Sequence, residues 1–253
     1  MIPKVIHYCW FGNNPKTELI EFCIASWKNY LPDYEIFEWN EQNFDLEKNE
    51  FVKTAFKHKK WAFVSDYVRA YVLFHHGGIY LDSDVEIKQN LDQFLKHGAF
   101  SGFEKPGFPF TALWASQKNH IWAKRVVKYY DDLKEFSEQT NTIIVSKLLV
   151  DEFGANPNED RIQVLKNDIV IFPSHFFCLD LNQNYATHHF DGSWLQEKVP
   201  YKNLLHRNFY SKKYFETISG KSILQDLLDK KDITLKEVIV FWIKNVKIKM
   251  IKN

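Results

Sequence analysis

WAFVSDYVRAYVLFHHGGIYLDSDVEIK, residues 61–88, holds the pattern from which the rest of the chain is read. Ala62, Asp66, Arg69 and Leu73 recur at helical spacing, with Phe63, Ala70 and Phe74 beside them. Asp66 and Arg69 therefore fall on the apolar face of a helix. A carboxylate and a guanidinium facing a core are costly unless they pair or serve a ligand. Gly77-Gly78 tolerates positive φ and ends the helix. Ile79-Tyr80-Leu81 reads as a short buried strand that runs out at Asp82-Ser83-Asp84. Open α/β sheets bind ligands beyond the carboxyl ends of their strands, and this Asp-x-Asp lies there.

If the strand continues through them, Asp82 and Asp84 alternate to the same side and can share one cation. Hard divalent ions suit carboxylate oxygens, and Mg2+ is commonly held by one or two carboxylates together with substrate phosphates. By itself the motif is a weak signal that more often marks a polar strand-end turn. The wider pattern is more specific: Ala62, Ser65-Asp66, Arg69, Leu73, Gly77-Gly78, Ile79-Tyr80 and Asp82-x-Asp84. It resembles the sugar transferases with a DXD motif, the glycosyltransferase family 32-like group. That family includes initiating α-mannosyltransferases, α-1,4-galactosyl- and N-acetylglucosaminyltransferases, and bacterial capsule and lipopolysaccharide enzymes. More distantly, the pattern is similar to the glucosyltransferase domains of large clostridial toxins. The likeness is specific over residues 1 to 105 and thinner beyond.

The 253 residues carry 33 basic and 32 acidic side chains, so a net charge of +1 gives no field for nucleic acid. Phe, Tyr and Trp make up 17%, an excess that carbohydrate or nucleobase stacking would use and that a Phe- and Lys-rich composition also explains. Cys9, Cys23 and Cys178 lack metal-ligand spacing and read as buried small hydrophobes in a reducing compartment. The chain starts straight into IPKVI with neither a signal peptide nor an apolar span, so a cytoplasmic location is expected.

Val5 to Trp10 reads as a buried strand ended by the loop cluster Phe11-Gly12-Asn13-Asn14-Pro15. Glu18 to Asn29 has helical periodicity, Tyr34 to Trp39 alternates as a second strand, and Phe44 to Lys59 is a polar helical region. Residues 99–104 and 168–173 read as strands; residues 119–133 and 141–152 read as helices. Alternating strands and helices indicate an α/β fold. The resemblance implies the GT-A type, one Rossmann-like nucleotide-sugar-binding sheet with additional C-terminal helices. We expect a single domain over 1–253: a nucleotide-sugar half over 1–105, an acceptor-side and metal-completing half over 106–215, and helices over 216–253.

The resemblance also implies site residues. Trp10 would stack on the nucleotide base, Asp66 and Arg69 would hold sugar hydroxyls, and Tyr80 and Ser83 would join the donor-binding set. In YATHHFDGSW, residues 185–194, His189 would complete the coordination of Mn2+ or Mg2+ by Asp82 and Asp84, with His188 as the substitute, and Trp194 would close over the donor. Asp66, Arg69, Asp82 and Asp84 form the implied catalytic set. The implied reaction moves a hexose, with retention, from a nucleoside diphosphate sugar to a hydroxyl of a glycan or lipid-linked saccharide in surface polysaccharide synthesis. UDP-galactose, UDP-glucose and UDP-N-acetylglucosamine are the favoured donors, with GDP-mannose open. A non-catalytic sugar- or nucleotide-binding protein and a metal-dependent phosphohydrolase are the other classes; the latter lacks its acidic and Lys motifs here. Leu235 to Ile251 reads as a basic helix with Leu235, Ile239, Trp242 and Val246 in a stripe, suited either to the core or to peripheral membrane contact.

Overall fold

The structure is a computed structural model and describes residues 1–133, 135–180, 184–191, 234–237 and 239–240. Two compact units are present, Met1–Trp194 and Leu195–Asn253. In the second, residues 235–237 and 239–240 are helical; most of the expected helices over 216–253 lie outside the described residues, as does Trp194.

The first unit is built on seven strands: β1 (Val5–Cys9), β2 (Glu35–Trp39), β3 (Gly78–Leu81), β5 (Ala99–Gly102), β6 (Leu113–Ser116), β7 (Gln163–Leu165) and β8 (Ile169–Phe172). Their order is β2-β1-β3-β6-β5-β8-β7. β1 pairs parallel with β2 and β3, and β5 pairs parallel with β8. β6 runs antiparallel to both β3 and β5, and β7 antiparallel to β8. Consequently β1, β2, β3, β5 and β8 share one direction and deliver their carboxyl ends to one edge. The α/β class and single central sheet match the expectation.

Strand alternation feeds two cores. Tyr80, Trp114, Ala99 and Ile171 face the layer of α2 (Glu50–Lys57), α3 (Trp61–His76), α4 (Ile121–Asp131) and α5 (Asn141–Leu148). Ile6, Ile79, Leu81, Leu113 and Phe100 face the opposite layer, which includes α1 (Glu18–Tyr30). Thr17 caps α1 by accepting the Ile20 N–H at 3.4 Å, and Ile20, Ile24 and Trp27 bury the inner face. A small second sheet lies on this side. It pairs β4 (Val85–Ile87) with β9 (Ala186–His188), and the Trp27 indole donates to the Val85 carbonyl at 2.7 Å.

α3 ends as its glycines suggest. Gly77, at φ +70°, donates its N–H to Leu73 O at 2.9 Å. A Cβ on Gly78, at φ +107°, would stand 2.6 Å from the Val5 carbonyl, so β3 begins where only glycine admits the neighbouring strand. One local expectation is corrected. The strand does not continue through Asp82-Ser83-Asp84; it stops at Leu81, and the three residues form a turn closed by the Val85 N–H on Asp82 O at 3.0 Å. Strand alternation therefore does not set the two aspartates on one side.

Candidate active site

α3 places Asp66 and Arg69 one turn apart, both buried at 6% and 7% exposure, against the last residues of β3. Arg69 Nη2 lies 3.0 Å from Asp66 Oδ1 and 3.1 Å from Asp82 Oδ1, while Nη1 donates to Asp82 Oδ2 at 3.3 Å. The guanidinium thus forks onto Asp82, the geometry in which arginine binds a carboxylate most firmly. Its plane also rests 4.8 Å from the Tyr80 ring centroid. Tyr80 is 2% exposed, so its contact is with Arg69 and the core. Burial lifts the Asp66 carboxyl to about 7; Arg69 opposes that rise and Asp82 adds to it. Arg69 itself stays charged, because Asp82, Tyr80 and Asp66 outweigh the burial that disfavours its charge.

Asp84 has other partners. Its Oδ1 lies 3.5 Å from His188 Nε2 at the end of β9, and its Oδ2 accepts the Asp191 N–H at 2.9 Å. Burial would raise this carboxyl, yet the His188 charge and these hydrogen bonds hold it down at about 2. His188 shows the converse: burial disfavours its charge, and attraction to Asp84 carries it well above the ordinary histidine value. Each partner favours the charged form of the other. His189 turns away to Glu86, with Nε2 and Oε2 3.1 Å apart, while its N–H donates to the Asp84 carbonyl at 3.1 Å. Of the two histidines, His188 is the one whose ring meets Asp84.

Trp10 lies directly beyond β1 at the same sheet edge. Its N–H donates to Trp39 O at 2.9 Å, its indole to Asn14 O at 2.7 Å, and Lys16 Nζ stands 5.4 Å from its ring centroid. Ser83 is the partly exposed tip of the Asp82–Asp84 turn. Beside Trp10, Glu38 at the end of β2 pairs with Lys16 at 2.8 Å and accepts the Tyr8 hydroxyl and the Asn40 amide. Glu38 was not singled out from sequence; the acidic residue at a second strand's end was the available signal.

Two carboxylates and an imidazole are donors that suit a divalent cation with hard-to-borderline preferences. Among the described residues, no three His, Cys, Asp or Glu side chains converge into a ready-made cage.

Residues 17–101 match the family model described as the glycosyltransferase sugar-binding region containing DXD motif. Asp66, Arg69, Asp82 and Asp84 all lie inside it, whereas Trp10, His188 and His189 lie outside. Inositol phosphoceramide mannosyltransferase 3 of Schizosaccharomyces pombe is 29% identical over 138 residues, covering 50% of this chain and 36% of that protein. An uncharacterized glycosyltransferase of Acanthamoeba polyphaga mimivirus is 28% identical over 177 residues, covering 63% and 69%. The chain therefore spans about a third of the yeast relative and about two thirds of the viral one. A solved structure titled PaToxG Glycosyltransferase is 20% identical with a TM-score of 0.47, covering 60% of this chain and 69% of that one.

Proposed function

We propose that this protein is a retaining glycosyltransferase that moves a hexose from a nucleoside diphosphate sugar to a hydroxyl of a glycan or lipid-linked saccharide. The observation that carries the reading is the Asp82–Asp84 turn, set at the carboxyl edge of the sheet between a fixed guanidinium and a charged imidazole. Its place within the DXD region supports it.

In this reading Trp10 stacks on the base, using a grip that any π-face accepts. Arg69 fixes the orientation of Asp82. Asp66 and Arg69, so deeply buried, act on the sugar hydroxyls through that orientation more than by direct exposure. Asp84 and, once its ring has given up the proton, His188 would hold Mn2+ or Mg2+ together with Asp82, and His189 remains a nearby substitute. When bound, such an ion supplies Lewis-acid neutralisation of the charge that gathers on the departing diphosphate. The partly exposed turn presents Ser83 toward the donor, and Trp194 belongs to the same donor-binding proposal. Contact with a membrane surface through residues 235–251, and a cytoplasmic location, belong to the reading as well. Among the described residues, no helix is long and apolar enough to cross a membrane.

UDP-galactose, UDP-glucose and UDP-N-acetylglucosamine are the first donors to try. A second reading, transfer of mannose from GDP-mannose, is favoured by relatives whose names are those of mannosyltransferases and mannosyl phosphorylinositol ceramide synthases. Incubation with Mn2+ and each nucleotide sugar, followed by release of UDP or GDP, decides between donors. Donor-specific turnover supports the transferase. Release of phosphate from simple esters instead, or silence with every donor, overturns it.

A further inference from the structure

Lys16 and Glu38 have no role in the function proposed above, yet they stand beside Trp10. Trp10 is the first residue after β1 and Asp82 the first after β3. These strands are parallel neighbours, so the two residues leave the sheet side by side, from strands about 5 Å apart. Lys16 Nζ stands 5.4 Å from the Trp10 ring centroid and 6.0 Å from that of Tyr8, and it pairs with Glu38 Oε2 at 2.8 Å. Glu38 also accepts the Tyr8 hydroxyl on Oε2 and the Asn40 amide on Oε1 at 3.1 Å. Burial works against the Glu38 charge, but Lys16, Tyr8 and Asn40 hold its carboxyl below the usual carboxylate range.

The pair is held in place but not used up. A carboxylate has about four acceptor places, and an ammonium about three donors. Tyr8, Lys16 and Asn40 leave room on Glu38 for a further donor, and Glu38 engages Lys16 through one contact. The side chains of Lys16 and Glu38 remain 20% and 31% exposed. A planar base laid on Trp10 beside them meets a donor and an acceptor fixed next to each other. Uracil and guanine each carry a carbonyl adjoining a ring N–H, the complement of that arrangement. Cytosine and adenine carry an amino group adjoining an unprotonated ring nitrogen, which sets donor against ammonium and acceptor against carboxylate. A polar site rejects an analogue that leaves its own groups unpaired.

We propose that Lys16 and Glu38 are specificity-determining residues that read the base of the bound nucleotide, admitting one with a carbonyl beside a ring N–H and rejecting one with an amino group there. The inference rests on the reading of Trp10 as the base platform of a glycosyltransferase. The test is calorimetric affinity, with Mn2+ present, for free UDP, CDP, GDP and ADP. Wild type should bind UDP at least about tenfold more tightly than CDP, or GDP than ADP; each pair shares a ring system, so stacking is held constant. Glu38→Gln has an amide that presents either group, and Lys16→Met keeps an apolar stem beside the rings. Each should bring the ratio within about threefold. A wild type without the preference, a folded variant that retains it, or an equal loss for all four nucleotides overturns the proposal. Should Glu38→Gln not fold, the exposed Lys16→Met decides alone. Turnover separates this inference from the reading beneath it. An active wild type whose variants keep the preference sinks the inference alone. A wild type that discriminates but releases nothing from any nucleotide sugar supports the base assignment and ends the transferase. Binding of none of the four ends both.

Discussion

At its amino end β3 enters through Gly77-Gly78; at its carboxyl end it leaves through Asp82-Ser83-Asp84. The entrance is neutral and closed. There His7 is 2% exposed, donates Nε2–H to the Gly77 carbonyl at 2.9 Å and accepts the Trp39 indole on Nδ1 at 3.2 Å. Both ring nitrogens are satisfied, which fixes one neutral tautomer. Burial takes its pKa down to about 4, only partly countered by the Gly77 contact, and His76 nearby lowers it further. The exit is acidic and partly open, and the charged form of its histidine, His188, is favoured by Asp84. Two histidines, one buried beside the entrance and one partly buried at the exit, are thus driven in opposite directions by what they face. Substitution at the entrance should alter stability, and substitution at the exit should alter chemistry.

The largest expected effect is at the exit. Asp84→Asn removes the negative charge that holds His188 and the proposed cation, several kcal/mol of transition-state stabilisation. Metal-dependent turnover of the folded fraction should fall about a thousandfold or more, measured as nucleoside diphosphate release, and the melting temperature should fall as well because His188 loses its partner. A folded Asp84→Asn protein that retained turnover would erase the distinction between the two ends. Next comes the entrance: Gly78→Ala sets a Cβ 2.6 Å from the Val5 carbonyl at φ +107°. It should cost about 3 kcal/mol in urea unfolding, while kcat of the folded fraction stays near wild type.

Acid sharpens the contrast. A depressed folded-state pKa means that the unfolded chain binds the proton first as pH falls. The contribution of His7 is therefore complete above its ordinary value of 6.5 and is lost as pH falls toward about 4. The loss approaches about 3 kcal/mol at most. Urea midpoints across that range should slope in wild type and flatten in His7→Gln, whose overall stability is lower. The smallest effect is Arg69→Lys, which keeps the charge and loses the fork onto Asp82. We expect a loss of about 1 to 2 kcal/mol in kcat/KM, and a smaller effect on the affinity for the free nucleoside diphosphate.

The exit was largely legible from sequence because its residues fall within one short segment with strong periodicity. Asp66 and Arg69 on an apolar face, glycines ending the helix, and aspartates after a buried run all translate directly into local structure. Long-range pairing was less accessible. β6, β7 and β9 have only three or four residues each, too short for alternation to stand out, and they are strands because neighbouring strands pair with them. The choice between His188 and His189 turns on strand register, where a shift of one position exchanges the two faces. Val85 pairs with His188 in β4–β9, and that register sends the neighbouring histidine to Glu86.

The β4–β9 ladder has a consequence for how the molecule acquires its chemistry. Glu86 and His189 are 103 positions apart, and that ladder joins them across the intervening chain. Closing so long a loop carries an entropic penalty that grows with its length, and contacts of this separation slow the search for the native topology. The Arg69–Asp82 grip, by contrast, spans 13 positions within one helix-turn-strand unit. A ribosome that has delivered only the first hundred residues has supplied one aspartate with its permanent partner and left the other waiting for a histidine not yet made.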